Sequence, residues 1–168
     1  MDKYRINNNE NIPNKFWGLF KSDNDSDYLL FFDSNPILNL KFKIDFETTE
    51  IDKLLKWDCL PINRGQGILM NRKAREILQK EAPNCLEFIK PLSLSMKGVE
   101  CELDYAAIHI LTDSEHDLIY RIRLGNIGIN PKLINVLKQN KIKGLSFAVI
   151  TDLKYKLLRL ENKNFTEK

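Results

Sequence analysis

Short apolar segments separated by polar turns recur along this chain, and they set the main limit on its fold. Such segments cover residues 15–21, 28–33, 35–45, 67–70, 85–95, 99–111, 118–124 and 145–150. Apolar and polar side chains alternate over 35–45, which is typical of a strand with one face in water. The run at 145–150 is of the kind that buried strands show. The sequence therefore predicts a sheet-rich fold.

The N-terminal segments are expected to lie side by side. Residues 7–14 are polar and rich in Asn, which predicts a loop. The segments 15–21 and 28–33 are rich in aromatic residues, and a turn of Ser, Asp and Asn at 22–27 separates them. Together with 35–45, they are predicted to form three strands of an antiparallel meander.

A first main helix is predicted to begin after Asn71, whose side-chain oxygen can cap it, and to stop before Pro83. Its apolar face carries Ala74, Ile77 and Leu78. A shorter helical pattern covers 48–58, where Thr48 or Thr49 can serve as the cap.

A second main helix is marked at both ends. Asn130 is placed to cap it and Pro131 stands at its first position. Gly144 is predicted to take the left-handed conformation that ends many helices. The apolar face carries Leu133, Ile134 and Leu137.

The chain length and composition predict one soluble domain of the α+β class. The chain has 168 residues, of which 43% are hydrophobic and 29% charged, and this is enough to bury a substantial core. We expect a largely antiparallel sheet with two main helices. Within it we distinguish a strand meander at about 15–45, an α+β region at about 57–150 and a basic amphipathic tail at 153–168.

The charge balance and the cysteines limit the functional classes. The net charge is +3, whereas nucleic-acid binders usually concentrate a stronger basic excess. Three cysteines with irregular spacing, Cys59, Cys85 and Cys101, match neither a disulfide framework nor a zinc pattern. Residues 1–15 hold no apolar segment of a secretory signal, and no apolar run approaches the ~20 residues that span a bilayer. We therefore expect a cytoplasmic protein with reduced cysteines.

Two glycines, Gly65 and Gly67, raise the question of phosphate binding. A phosphate-binding loop follows a strand and leads directly into a helix, so that amide groups at the helix start face the phosphate. Here the glycines precede the apolar run 67–70, and the helix begins only after it. The order glycine, strand, helix indicates a turn that enters a strand.

The remaining polar groups do not form a recognisable reactive site. The acidic turn at 23–27 resembles half of a calcium loop, but Tyr28 and Ser34 stand where such a loop needs Gly and Glu. His109 lies in an apolar run and is interpreted as a core histidine, and His116 lies in a polar turn. No cysteine has a nucleophile signature that includes histidine. The sequence therefore predicts no catalytic, cofactor-binding or metal site.

Two blocks of the sequence resemble a known family. The first, at 55–94, combines Trp57, the Leu60-Pro61 pair, a short strand, a capped helix and the strand end Phe88 to Pro91. The second, at 129–147, is a helix followed by Gly-Leu-Ser-Phe. Over about 57–150 the chain is similar to the bacterial immunity proteins called immunity protein eleven, although the stretch between the blocks is shorter here. These proteins neutralise polymorphic toxins that are delivered between neighbouring cells.

The resemblance implies a non-catalytic protein that binds a cognate toxin domain. Toxins that act on nucleic acid are basic around their active sites, so an acidic surface would speed the encounter. Two acidic turns are therefore the predicted partner-binding residues. They consist of Asp23, Asp25 and Asp27 in the first turn and Asp113, Glu115 and Asp117 in the second.

Two other functions remain open from the sequence. A nucleic-acid-binding module is one, because of the basic tail and the segment 121–126, although basic residues interleaved with aromatic ones are lacking. A small enzyme that uses His116 is the other, since its acidic neighbours would favour the protonated form. The sequence predicts no membrane partner and leaves the oligomeric state undefined.

Overall fold

The structure is a computed structural model that describes residues 2–8, 11–24, 31, 34, 40–63, 67–123 and 125–166. Within these residues the strands are β1 (Lys3–Asn8), β2 (Leu19–Lys21), β3 (Lys43–Phe46), β4 (Cys59–Pro61), β5 (Ile68–Asn71), β6 (Leu86–Ile89), β7 (Ser93–Met96), β8 (Val99–Cys101), β9 (Tyr105–Ile110), β10 (Ile119–Arg123), β11 (Asn126–Ile129) and β12 (Leu145–Ile150). The helices are α1 (Ile51–Leu54), α2 (Arg72–Glu81), α3 (Pro131–Gln139) and α4 (Asp152–Thr166). The α+β prediction is confirmed.

These described strands form three sheets of four strands each. The first sheet has the order β10-β11-β1-β12, the second β2-β3-β7-β8 and the third β4-β5-β9-β6. All neighbours are antiparallel except β3 and β7. The expected antiparallel character is therefore confirmed.

The third sheet lies between two hydrophobic cores. Ile68 and Met70 of β5 face a first core shared with the first sheet, α2 and α3, and Leu69 faces a second core shared with the second sheet. On β9, Ile108 and Ala107 divide in the same way. Burial on both faces explains why these strands read as continuous apolar runs.

Two predicted strands are each divided between two sheets. The segment 85–95 was expected as one strand, but it forms β6 and β7, which are interrupted around Pro91. The segment 99–111 forms β8 and β9. The strands β6 and β9 pair in the third sheet, and β7 and β8 pair in the second. Both chain segments thus leave one sheet and enter the other side by side.

β1 was not predicted, although it is central to the first sheet. It pairs antiparallel with β11 on one side and with β12 on the other. The predicted loop at 7–14 is wrong for its first two residues, which belong to this strand. Only Tyr4 and Ile6 carry its apolar alternation, and both contact the first core.

The predicted N-terminal meander is confirmed only for the antiparallel pair of β2 and β3. The segment 15–21 begins with a 3-10 turn, Asn14–Phe16, and becomes a strand at Leu19. The strand predicted over 28–33 and the residues 35–39 lie outside the described residues, apart from buried Phe31. β3 continues the sheet by pairing in parallel with β7.

Both helix starts are confirmed. The Asn71 side chain accepts a hydrogen bond from the Ala74 N–H at 3.1 Å, and Asn130 accepts one from the Lys132 N–H at 2.9 Å. Pro131 stands at the first helical position. The pattern at 48–58 contains only the single turn of α1.

The predicted end of the second main helix is wrong. α3 stops at Gln139, and Lys141 takes the left-handed conformation with φ 55°. The Ile142 N–H donates to the Leu137 carbonyl and the Lys141 N–H donates to the Lys138 carbonyl, which is the Schellman pattern.

Gly144 has a different role. Its φ is +110°, and a Cβ atom there would lie 2.0 Å from the Cys59 carbonyl oxygen. The adjacent Lys143 carbonyl accepts hydrogen bonds from the N–H groups of Asp58 and Cys59, each at 3.0 Å. Gly144 therefore permits the chain after α3 to lie against the start of β4.

The basic amphipathic tail predicted at 153–168 is largely helical, because α4 covers most of it. Tyr155 and Leu158 of α4 pack on Tyr120, Ile122 and Ile150 and form a third, smaller cluster on the other face of the first sheet.

The burial of Leu137 yields a stability prediction. Leu137 is 2% exposed and contacts the first core, so Leu137→Ala should lower the free energy of unfolding by about 2–5 kcal/mol. Lys138→Ala, on the exposed side of the same helix, should change it by less than about 0.5 kcal/mol. Denaturant titration measures both values, and equal effects would contradict the assignment of Leu137 to the core.

Candidate partner-binding surfaces

The acidic turn 113–117 lies between β9 and β10, and Glu115 is its central contact. The Glu115 Oε2 atom accepts a hydrogen bond from Lys3 Nζ at 2.9 Å and another from the Tyr155 hydroxyl. Lys3 Nζ also lies 4.1 Å from the centroid of the Tyr155 ring. Glu115 thus connects the turn to β1 and to α4.

The other members of the turn are also held internally. Asp117 Oδ2 accepts a hydrogen bond from the Thr112 hydroxyl at 2.6 Å. The Asp113 backbone carbonyl accepts one from Arg159 Nη1 of α4 at 2.8 Å, while the Asp113 residue is exposed. Lys3 and Arg159 therefore offset much of the negative charge of this turn.

Hydrogen bonding and burial shift the pKa values of this group in opposite directions. The hydrogen bonds from Tyr155 and then from Lys3 lower the pKa of Glu115. Burial, followed by the hydrogen bond to the Glu115 carboxylate, raises the pKa of Tyr155. Glu115 is therefore stabilised as a carboxylate and Tyr155 as a neutral hydroxyl that donates to it.

The predicted partner-binding residues are only partly brought together. Asp113, Glu115 and Asp117 share one turn beside the first sheet. Asp23 is exposed just after β2 at the edge of the second sheet. Asp25 and Asp27 lie outside the described residues.

His116 lines a cleft beside the acidic turn. This cleft has a volume of about 290 Å³ and is bounded by Asp2, Lys3, Glu115, His116, Tyr120, Ile129, Asn130 and Pro131. His116 is exposed, and burial raises the pKa of Tyr120. Tyr120 therefore contributes a neutral side chain to the wall of this cleft.

His109 is confirmed as a core histidine. It is fully buried on β9, and its Nδ1 atom lies 2.8 Å from Glu87 Oε1 on the paired strand β6. Cross-strand pairing aligns the two residues, so their contact follows from the register of the third sheet.

Packing determines how far each of the three cysteine thiols is buried. Cys59 and Cys85 are buried, and burial raises the pKa of both thiols. Cys101 is half-buried at the wall of a cleft, and burial raises the pKa of its thiol as well. Across the described ranges, no three or more His, Cys, Asp or Glu side chains are grouped in a way that could hold a metal ion.

The predicted order of glycine, strand and helix is confirmed at Gly67, the one of the two glycines that the structure describes. Gly67 precedes β5, and β5 runs directly into α2. A Cβ atom at Gly67 would lie 2.8 Å from the Phe31 ring, so the position is closely packed. Gly65 lies outside the described residues.

A second cleft, here called the seam cleft, opens where the chain passes between the second and third sheets. It has a volume of about 510 Å³ and is lined by 90–94 and 100–105 together with Arg72. The paired strands separate here, between the β6–β9 pair and the β7–β8 pair. Leu92 on its wall is 64% exposed.

An ion-pair group forms one side of the seam cleft. Asp104 Oδ1 accepts a hydrogen bond from Arg75 Nη2 at 2.7 Å, and Oδ2 accepts one from Arg72 Nε at 3.0 Å. The Arg75 hydrogen bond lowers the pKa of Asp104. This group fixes α2 to the segment between β8 and β9.

The lining also includes the exposed residues Glu100 and Glu102. The sequence interpretation missed them because it considered acidic turns only. The sequence signal that indicates them is the alternation Val-Glu-Cys-Glu-Leu-Asp at 99–104. Residues two apart lie on the same face of an extended chain, so the acidic residues of this stretch share one face. Cys101 and Leu103, between them, contact the second core.

In the part of the chain that the structure describes, no helix is long and apolar enough to cross a membrane.

No model of a known protein family matches the chain, and no curated protein matches its sequence. The resemblance to immunity proteins therefore depends on the two sequence blocks at 55–94 and 129–147.

The lowered pKa of Glu115 yields a prediction about pH. Its stabilising contribution is complete above the ordinary pKa of a glutamate and is lost as the pH falls through the lowered folded pKa. We expect α4 amides to exchange hydrogen faster in that acidic range, and Glu115→Gln to raise their exchange near neutral pH by up to about tenfold. Mass-spectrometric hydrogen exchange measures both effects.

The matched control is Asp113→Asn, because the observed contact of Asp113 with Arg159 uses the backbone carbonyl. This variant should leave the exchange of α4 unchanged. Equal exchange in wild type and Glu115→Gln would show that Glu115 does not hold α4.

Proposed function

We propose that this protein is a non-catalytic immunity protein that binds and neutralises a cognate bacterial toxin domain. The observation that carries this proposal is the seam cleft, whose lining combines the exposed Leu92 with the carboxylates of Glu100 and Glu102. Apolar anchors within a polar, charged rim are the usual composition of a protein-binding surface. The resemblance of the two sequence blocks to immunity proteins supports the same function.

The charge around the seam cleft fits a basic partner. Arg72 and Arg75 already share Asp104, so the remaining charges of the lining are the exposed carboxylates of Glu100 and Glu102 and one exposed cation, Lys90. A toxin that acts on nucleic acid is expected to carry cations around its active site. Complementary carboxylates would speed the encounter and orient the two proteins.

The size of the molecule is compatible with tight binding. A nanomolar complex corresponds to roughly 12 kcal/mol and usually buries on the order of 800 Å² on each partner. The seam cleft and the exposed side chains beside it can form the centre of such an area. The acidic turn at 113–117 remains the second proposed contact, with Asp113 as its exposed carboxylate.

Co-expression provides the first test. Wild-type protein should restore growth of cells that express the toxin domain encoded beside it. Glu100→Lys combined with Glu102→Lys should weaken binding by at least about tenfold, because two favourable charge interactions become repulsive. Calorimetry or surface binding measures the affinity.

Matched controls separate the surface from general charge effects. Glu76→Lys with Glu81→Lys makes the same change in net charge on exposed positions of α2 and should bind as wild type does. His116→Ala should also neutralise normally and keep its melting temperature. Absence of a neighbouring toxin, or turnover of a substrate by the purified protein, would contradict the proposal.

A second test addresses the acidic turn. Reversal of Asp113, Glu115 and Asp117 to Lys should slow association with the toxin at low salt and reduce its salt dependence. Because Glu115 and Asp117 hold internal hydrogen bonds, Asp113→Lys alone provides a variant that leaves those bonds intact. Asp52→Lys, exposed on α1, is the control. If the association rate is unchanged for both turn variants, the turn is solvent-exposed surface outside the interface.

A further inference from the structure

β12 forms an open edge of the first sheet. It pairs with β1 along its full length, from Lys3↔Ile150 to Asn8↔Leu145. Among the strands that the structure describes, none pairs with its other side. The backbone N–H and C=O groups along such a side are a template for another strand.

The residues of β12 distinguish it from the other edge strands. Each of the other five edge strands contains a charged residue or a proline, which are the usual features that block pairing between edges. These residues are Lys21 in β2, Pro61 in β4, Glu87 in β6, Glu100 in β8 and Arg121 in β10. β12 has the sequence Leu-Ser-Phe-Ala-Val-Ile and contains neither.

An apolar groove lies beside this edge. Its volume is about 250 Å³, and it is lined by Leu137, Lys138, Ile142, Leu145, Ser146 and Phe147. Phe147 and Val149 are paired with Ile6 and Tyr4, so they lie on the face of the sheet that meets the first core. Val149 is nevertheless 54% exposed. The edge thus presents a groove near one end and an exposed valine near the other.

We propose that β12 pairs antiparallel with β12 of a second copy of this chain, across a two-fold axis near Ala148. Two directly opposed residues of an antiparallel pair lie on the same face of the sheet. The two-fold axis must therefore place one residue opposite its own copy, because neighbouring residues of a strand lie on opposite faces. Lys143 and Gly144 already contact Cys59, so the proposed pairing begins after them. An axis at Ala148 keeps the second strand clear of that contact.

This register makes the edge complementary to itself. Phe147 of each copy lies opposite Val149 of the other, and aromatic with β-branched pairs are favourable across strands. Val149 leaves water and packs beside the groove at Leu145 and Phe147. Near a two-fold axis each residue lies close to its own copy, so a charged side chain there would be repelled by the same charge on the second copy. β12 contains no charged residue.

Sedimentation velocity from roughly 1 µM to roughly 1 mM tests the association. We expect wild-type protein to shift from its 19.7 kDa chain mass to twice that mass. Val149→Lys should raise the midpoint concentration by at least about tenfold, because it places two ammonium groups in the pairing region. The control Val99→Lys, on an exposed position of edge strand β8, should leave the midpoint within about twofold.

Cross-linking tests the register without depending on those variants. Under oxidation, Ala148→Cys should form a disulfide between copies, because opposed residues lie at about 4.5–5.5 Å between Cα atoms. Ser146→Cys should not, since its own copy would be about 13 Å away along the strand. A wild type that stays monomeric, a midpoint unchanged by Val149→Lys, or equal cross-linking of the two cysteine variants would overturn the proposal.

Discussion

The arrangement of the sheets depends on the close backbone contact between Gly144 and Cys59. Asp58 lies at its centre, because its carboxylate accepts hydrogen bonds from the Asn71 side chain at 2.9 Å and from the Lys143 N–H at 2.8 Å. One carboxylate therefore fixes the start of α2 and the chain that leaves α3. Any side chain at position 144 would push these elements apart, since even a Cβ atom would meet the Cys59 carbonyl at 2.0 Å.

The third sheet connects the two larger cores, and the seam cleft is a consequence of how it does so. Two adjacent chain segments pass together from the third sheet into the second and re-pair there with Leu94 opposite Cys101. Between the two pairings the backbone cannot keep one regular ladder, so a gap opens on the surface. The Arg75–Asp104 contact closes the inner side of that gap, and Leu92 is left on its wall. A binding surface can thus arise from the path of the chain without any local sequence motif.

The sequence predicted those features that depend on neighbouring residues. The caps at Asn71 and Asn130 were predictable because the capping side chain and its amide partner are within three residues. Long-range contacts were not predictable. Gly144 was interpreted as a helix end, whereas Lys141 takes that conformation and the glycine is required by Cys59, far away in sequence. β1 was missed because its outward face is polar, and the seam cleft because a division between sheets leaves little trace in local periodicity.

The central position of β1 affects the order in which the protein can assemble during synthesis. Tyr4 pairs with Val149, which lies 145 positions later in the sequence. At typical ribosomal rates of about 5–20 residues per second, β1 waits on the order of ten seconds for its neighbours. The second and third sheets and α2 can meanwhile form from contacts made earlier in the chain. The first sheet can therefore close only after β11 and β12 have been synthesised, because both neighbours of β1 come from the C-terminal part of the chain.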